Sequence, residues 1–293
     1  MTCTLEIKKF PYKHWEVCNL QTSDKLRIVP ERGGLITSWI CNGREVFYMD
    51  QSRFNDQSKS VRGGMPILFP ICGNLPNNKF LLDDSEYFMN QHGFARDACW
   101  QINPLDDGQG INLFLEDNNE LLLLYPFKFS LSIDVRIKDY KLEIVSRVKN
   151  KSLEKEMPFS FGLHPYFRVS DLENVEIIDL PKQCIDQNNM LIADVSAQIN
   201  NLSNGIDFLI GPISKTTFID KLEKFSITLR IEDPFLFNVI WTNPPRKMIC
   251  LEPWTSPRNA LITGDSIVNL RPNEERSIKC EFIYNEVTSG FYN

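Results

Sequence analysis

The stretch FSLSIDVRIKDYKLEIVSRVKN, residues 129–150, decides the fold class. Phe129, Leu131, Ile133, Val135 and Ile137 alternate with Ser130, Ser132, Asp134, Arg136 and Lys138. Successive side chains of an extended chain point to opposite faces, so a period of two predicts a half-buried strand. The polar tetrad Lys138-Asp139-Tyr140-Lys141 reverses the chain. Leu142, Ile144 and Val148, set against Glu143, Arg147 and Lys149, then complete an antiparallel hairpin.

Working outward, similar runs occur at Leu26 to Val29, Phe225 to Ile231 and Ser277 to Tyr284. In the last, Ile278, Cys280, Phe282 and Tyr284 are expected inside and Lys279, Glu281 and Asn285 outside. No window of about a dozen residues carries a clean i, i+3, i+4, i+7 apolar stripe, so helices should be few and short. Turn pairs recur at Asn42-Gly43, Asp107-Gly108, Asn204-Gly205 and Thr263-Gly264, and no Pro/Gly/Ser linker divides the chain. The expectation is an all-β chain forming one large antiparallel sandwich domain over residues 1–293.

Composition narrows the partners. With 32 Lys+Arg against 38 Asp+Glu the net charge is −6. No basic stripe offsets that balance, which argues against nucleic acid and leaves small molecules or proteins. A chain of 293 residues with 42% hydrophobic side chains can bury a large core. The densest apolar run, Leu121 to Phe127, contains Pro126 and falls far short of the ~20 residues that span a bilayer, so no membrane partner is expected. The first fifteen positions are charged throughout and lack a signal-peptide core, which reads as cytoplasmic. Cysteines at 3, 18, 41, 72, 99, 184, 250 and 280 form no C-x-x-C, so reduced and mostly buried thiols are expected. No metal-ligand spacing is present either.

The sequence lacks G-x-G-x-x-G after a strand, the P-loop, the G-x-S-x-G elbow and H-E-x-x-H, which removes nucleotide, serine-hydrolase and zinc-protease readings. Unusual segments remain around three histidines. VRGGMPILFPICGN at 61–74 brackets an apolar run with Gly and Pro. QHGFAR at 91–96 sets His92 and Arg96 around Gly93, FSFGLHPYF at 159–167 sets His164 among aromatics, and CLEPWT at 250–255 ends an apolar run on Glu252. Each has an ordinary structural reading. His92 can satisfy a loop carbonyl, His164 can be a core histidine, Trp254 can belong to the core, and Arg62 and Arg96 can be salt-bridge donors. Glu252 is harder to dismiss, because a carboxylate in an apolar run needs a partner or a function. His14, in Lys13-His14-Trp15-Glu16, reads as a surface residue.

Taken in order, these segments resemble the galactose mutarotase-like superfamily of aldose 1-epimerases and hexose-6-phosphate 1-epimerases. The resemblance runs from Gly33-Gly34 through RGGMPILFPICGN, HGFAR, FGLHPYF, Asn204-Gly205-Ile206-Asp207 and CLEPWT, over roughly residues 25–285. It implies a β-supersandwich with a sugar site in a cleft on one sheet. It also implies His164 as the acid that protonates the ring oxygen, Glu252 as the base at the anomeric hydroxyl, and His92 as the second family histidine. Asp207, Asn74 and Trp254 become candidate sugar contacts, and Arg62 and Arg96 resemble the arginines of the phosphate-handling branch. The loop ending Cys72-Gly73-Asn74-Leu75 departs from the Asn-Arg pair of typical galactose mutarotases.

Residue chemistry agrees with that implication on its own terms. Opening a hemiacetal needs one proton delivered to the ring oxygen and one removed from O1, work for a His and a Glu without any cofactor. The expected activity is anomer exchange on a hexose, with a hexose 6-phosphate as alternative substrate. A non-catalytic sugar-binding protein is the reading from another class. The expected assembly is a monomer or weak homodimer.

Overall fold

The hairpin forms as its pattern predicts. In a computed structural model describing residues 3–287, Phe129–Lys138 pairs with Lys141–Asn150, from Phe129 opposite Asn150 to Lys138 opposite Lys141. Residues 1–2 and 288–293 of the expected domain span lie outside the described residues. Asp139 and Tyr140 make the two-residue loop with φ of 50° and 59°, the left-handed pair that matches the twist of the flanking strands. The five apolar side chains from Phe129 to Ile137 are at most 1% exposed. Asp134, on the polar face, is itself buried and accepts from Arg147 of the facing strand at 2.9 Å and from Asn112 at 2.7 Å.

This hairpin sits within an eight-stranded antiparallel sheet ordered Val175–Ile178, Lys215–Asp220, Phe225–Ile231, Glu275–Glu286, Lys141–Asn150, Phe129–Lys138, Gly110–Glu116 and Gln101–Pro104. The second eight-stranded sheet runs Leu191–Asp194, Gln183–Asp186, Asp207–Ile210, Phe237–Thr242, Met248–Trp254, Gly162–Leu163 and Ile67–Leu68, with Tyr166–Arg168 also paired to Met248–Trp254. The sheets pack face to face: the ring of Phe167 in the second lies 5.5 Å from those of Phe218 and Phe282 in the first. A five-stranded sheet from Cys3–Lys8 to Arg44–Glu45 adjoins them. Among the described residues the four α-helices have only four to six residues each. The fold is the all-β antiparallel supersandwich that the resemblance implies.

Met248–Trp254 positions the site. All seven of its residues are buried. Ile249 and Leu251 join the core between the sheets, while Cys250, Glu252 and Trp254 face the other way, under loops. Both faces are covered, so a carboxylate on the outer face is buried as well.

One reading is corrected. His14 is 1% exposed rather than at the surface: its Nδ1 lies 2.6 Å from the Tyr12 carbonyl and its ring meets Tyr12 edge-on. It opens the strand His14–Asn19 on the face opposite Val17, and is buried there beside Tyr12, whose own ring packs on Phe54 at 4.7 Å. Six of the eight cysteines, at positions 3, 41, 72, 184, 250 and 280, are buried. No helix among the described residues is long and apolar enough to cross a membrane.

Candidate active site

Register across three antiparallel strands gathers the sequence candidates. Asp207 stands opposite Trp241, Trp241 opposite Cys250, and Val239 opposite Glu252. Directly opposed residues share a face, so Asp207, Trp241, Val239, Cys250 and Glu252 line one side of the sheet. His164 joins them through a break in pairing. Gly162 is opposite Trp254 and Tyr166 opposite Cys250, so the His164-Pro165 interruption lies beside Glu252. Nδ1 of His164 is 3.4 Å from Oε1 of Glu252, with the two residues 7% and 2% exposed. The imidazole stacks on Tyr166 at 4.6 Å and 4°, which holds its plane.

His92 arrives on a loop. Its backbone has φ of 69°, and its ring lies 5.6 Å from that of His164 and 5.8 Å from that of Trp254. Gly93 follows at φ 73° because a Cβ there would lie 2.1 Å from the Phe69 carbonyl oxygen. The backbone N–H of Gly73 donates to Nδ1 of His92 at 3.1 Å, and the His92 N–H donates to the Gly73 carbonyl at 2.6 Å.

Electrostatics follow from burial. Desolvation, then the positive charges of Arg62 and Arg96, holds the His164 imidazole well below its ordinary pKa. His92 is lowered too, by burial and then by His164 and the arginines. Burial pushes the Glu252 carboxyl well up and Asp207 adds to the rise, while a hydrogen bond from Trp254 and then the charges of Arg62 and Arg258 oppose it. Asp207 is raised to about 6, again chiefly by burial. Burial thus favours the neutral form of both His164 and Glu252.

His164, Glu252, His92, Asp207, Trp254 and Arg62 all line one cavity of about 190 Å³. Asn74 and Arg96 line instead an adjoining cavity of about 470 Å³. Arg96 also borders a third, of about 480 Å³, that is lined by His164 as well. The sequence reading missed Arg258, Gln91 and Trp241. Arg258 and Gln91 belong to both of the first two cavities and so form the wall between them. Trp241 was accessible in principle, since Val239 and Trp241 alternate with buried Asn238, Ile240 and Thr242. Arg258 carries no such signal: it follows Pro257 in a loop.

Among the described residues the three arginines have no buried carboxylate within ion-pair distance. Arg62 sits over the Trp241 ring at 5.5 Å and donates to the Tyr166 hydroxyl at 3.4 Å. Arg258 donates to the Gln187 carbonyl at 3.2 Å. Arg96 has only Asp97, at 3.8 Å and largely exposed. The sequence offered no metal-ligand spacing, yet register brings one donor atom each of His164, Cys250 and Glu252 within 4.8 Å of one another.

With this geometry in view, comparison with known proteins is informative. The aldose 1-epimerase family model matches residues 19–282. The chain belongs to the aldose 1-epimerase family. Membership places it among the isomerases. The solved structure of the Slr1438 protein from Synechocystis sp. PCC 6803 is similar to it at 34% identity and a TM-score of 0.88, over 93% of this chain and 96% of that one. A galactose mutarotase-like protein from Lactobacillus casei ATCC 334 shares the fold with a TM-score of 0.75 at 22% identity, over 89% and 97% of the two chains. Among curated proteins, a Cenchrus ciliaris protein provisionally named a glucose-6-phosphate 1-epimerase is 30% identical over 156 residues, 50% of this chain and 44% of that relative. Protein LacX, chromosomal, of Lactococcus lactis subsp. lactis is 25% identical over 232 residues, 69% of this chain and 77% of its own. In this epimerase-family chain the two adjoining cavities are thus lined by a His–Glu pair, a second His, an Asp and three arginines.

Proposed function

We propose that the protein is an aldose 1-epimerase that interconverts the α and β anomers of a hexose by acid–base ring opening. One observation carries the reading: a buried imidazole and carboxyl 3.4 Å apart on the wall of a sugar-sized cavity. Pure binding requires no such pair. In the resting site the pair holds one transferable proton, on Glu252. Sugar hydroxyls, with the guanidiniums of Arg62 and Arg258, favour the ionised carboxylate, and the proton moves to the imidazole. His164 then protonates the ring oxygen while Glu252 takes the proton from O1. Rotation about C1–C2 and reclosure give the other anomer. His92 and Asp207 hold sugar oxygens, Trp254 offers its face, and no cofactor takes part. The whole chain acts as one domain.

A second reading concerns the substrate. Arg62, Arg96 and Arg258 have no buried carboxylate to neutralise them within ion-pair distance among the described residues, so a phosphorylated hexose suits the cleft, Asn74 and Arg96 meeting the phosphate end. The test is NMR exchange between α and β anomers of glucose, galactose and glucose 6-phosphate, with the native chain, His164→Ala and Glu252→Gln. Acceleration that vanishes in both variants, at unchanged melting temperature, is expected. Absence of acceleration for every sugar, with sugar-induced shifts still seen in the protein, would replace this reading by sugar binding alone.

A further inference from the structure

Cys250 has no part in ring opening, yet it stands two residues before Glu252 on the same strand face and opposite Tyr166, two residues after His164. The three side chains are buried, at 7% for His164, 0% for Cys250 and 2% for Glu252. Their donor atoms already lie within 4.8 Å of one another, and the His164 Nδ1 to Glu252 Oε1 edge is 3.4 Å. A tetrahedral zinc site with bonds of roughly 2.0–2.3 Å has ligand-to-ligand edges of roughly 3.3–3.8 Å. One edge of that figure is present, and the others require the side chains to close by up to about 1.5 Å. A separate observation points to a ligand: Nδ1 of His164 is buried without a hydrogen-bond partner. The donor set of one thiolate, one imidazole and one carboxylate is borderline-soft, and suits zinc or cobalt rather than magnesium or calcium.

We propose that His164, Cys250 and Glu252 form an inhibitory site for a thiophilic divalent cation, typified by Zn²⁺. Binding forms bonds to a His164 nitrogen, the Cys250 sulfur and a Glu252 oxygen, and releases the thiol proton and the carboxyl proton to solvent, with no change of oxidation state. The fourth position faces the sugar cavity and takes water. The three charges of Arg62, Arg96 and Arg258 oppose the cation, so the site is one of moderate affinity that empties under chelation. Inhibition follows because the metal occupies the acid and the base together; this part rests on the roles proposed above, while metal binding itself does not.

The experiment titrates Co²⁺ into the purified full chain and follows the near-ultraviolet thiolate-to-cobalt band, then measures anomer exchange with added Zn²⁺ and after chelation. The native chain should show the band and a zinc inhibition reversed by chelator. Cys250→Ser should keep basal exchange, lose the band and need at least about tenfold more Zn²⁺ for the same inhibition. Cys99→Ser, which changes the exposed thiol, should keep both. A band that survives in Cys250→Ser but disappears in Cys99→Ser would overturn the site, as would no band in the native chain. Should Cys250→Ser fail to fold, His164→Ala must lose the band instead, and a retained band overturns the proposal. A band that behaves as described in a chain without exchange on any sugar would keep the metal site, overturn the inhibition, and count against the catalytic roles alone.

Discussion

The backbone N–H of Gly73 donates to Nδ1 of His92 across 3.1 Å, and this single bond fixes which proton the imidazole carries. A backbone amide can only donate, so Nδ1 must accept and the ring proton resides on Nε2. His92 therefore offers the cavity a hydrogen-bond donor, whereas His164, with an unpartnered Nδ1, is free to change its protonation. Two buried histidines with ring centroids 5.6 Å apart thus have different chemistry.

From this bond, His92 is expected to remain the Nε2–H tautomer, uncharged, from neutral pH down through the usual histidine range, since burial and three arginines lower its pKa. Nitrogen-15 shifts of the imidazole report it directly. His92→Phe removes the acceptor and leaves the Gly73 N–H buried and unpaired, a loss of about 1–3 kcal/mol in a denaturant titration. A change under about half a kcal/mol would mean that the amide finds another partner.

Anomer exchange should depend on pH as a bell. Activity requires the His164–Glu252 pair to hold one proton. Acid adds a second and removes the base, and alkali takes the only one and removes the acid. Because His164 is lowered and Glu252 raised, the plateau includes neutral pH, and its limbs belong to the pair rather than to either residue. A rate that rises monotonically from acid to alkali would show that no protonated group is needed.

Asp207 carries a stability signature separable from catalysis. Its pKa rises from 3.8 to about 6 on folding, so between these values the folded chain binds more protons than the unfolded one. Stability contributed by this carboxyl is then full below pH 3.8 and is lost as pH rises through about 6. Asp207→Asn should remove that downward slope, measured as the difference between native and variant unfolding free energies from pH 4 to pH 7. An identical pH profile in both chains would show that Asp207 titrates normally.

Arg258 forms the wall between the acid–base cavity and the cavity lined by Asn74 and Arg96. Arg258→Met should raise KM for glucose 6-phosphate by about 10–100-fold, the worth of a charge-assisted hydrogen bond, with a much smaller effect on glucose. Steady-state kinetics on both sugars decide it, and an equal loss on the two would place Arg258 on the ring hydroxyls instead of the phosphate.

Much was legible beforehand because it is local. Alternation from Phe129 to Ile137 required a strand, since neighbouring side chains of an extended backbone must point to opposite faces, and the structure buries each of those five. Glu252 at the end of an apolar run announced an unusual carboxylate for the same local reason. His14 shows the limit: its polar neighbours suggested a surface, while its burial comes from packing against Tyr12, itself packed on the distant Phe54.

Local pattern along the chain carries the all-β class and the supply of acid, base and guanidinium groups. Tertiary structure alone decided which of them meet. Asp207, Trp241 and Cys250 are placed side by side by a register spanning 43 residues of chain from 207 to 250, and no local pattern encodes which strand lies next to which. The same pairing buried both faces of Met248–Trp254, and burial, a property of the assembled sheets, is the largest cause that lowers His164 and raises Glu252.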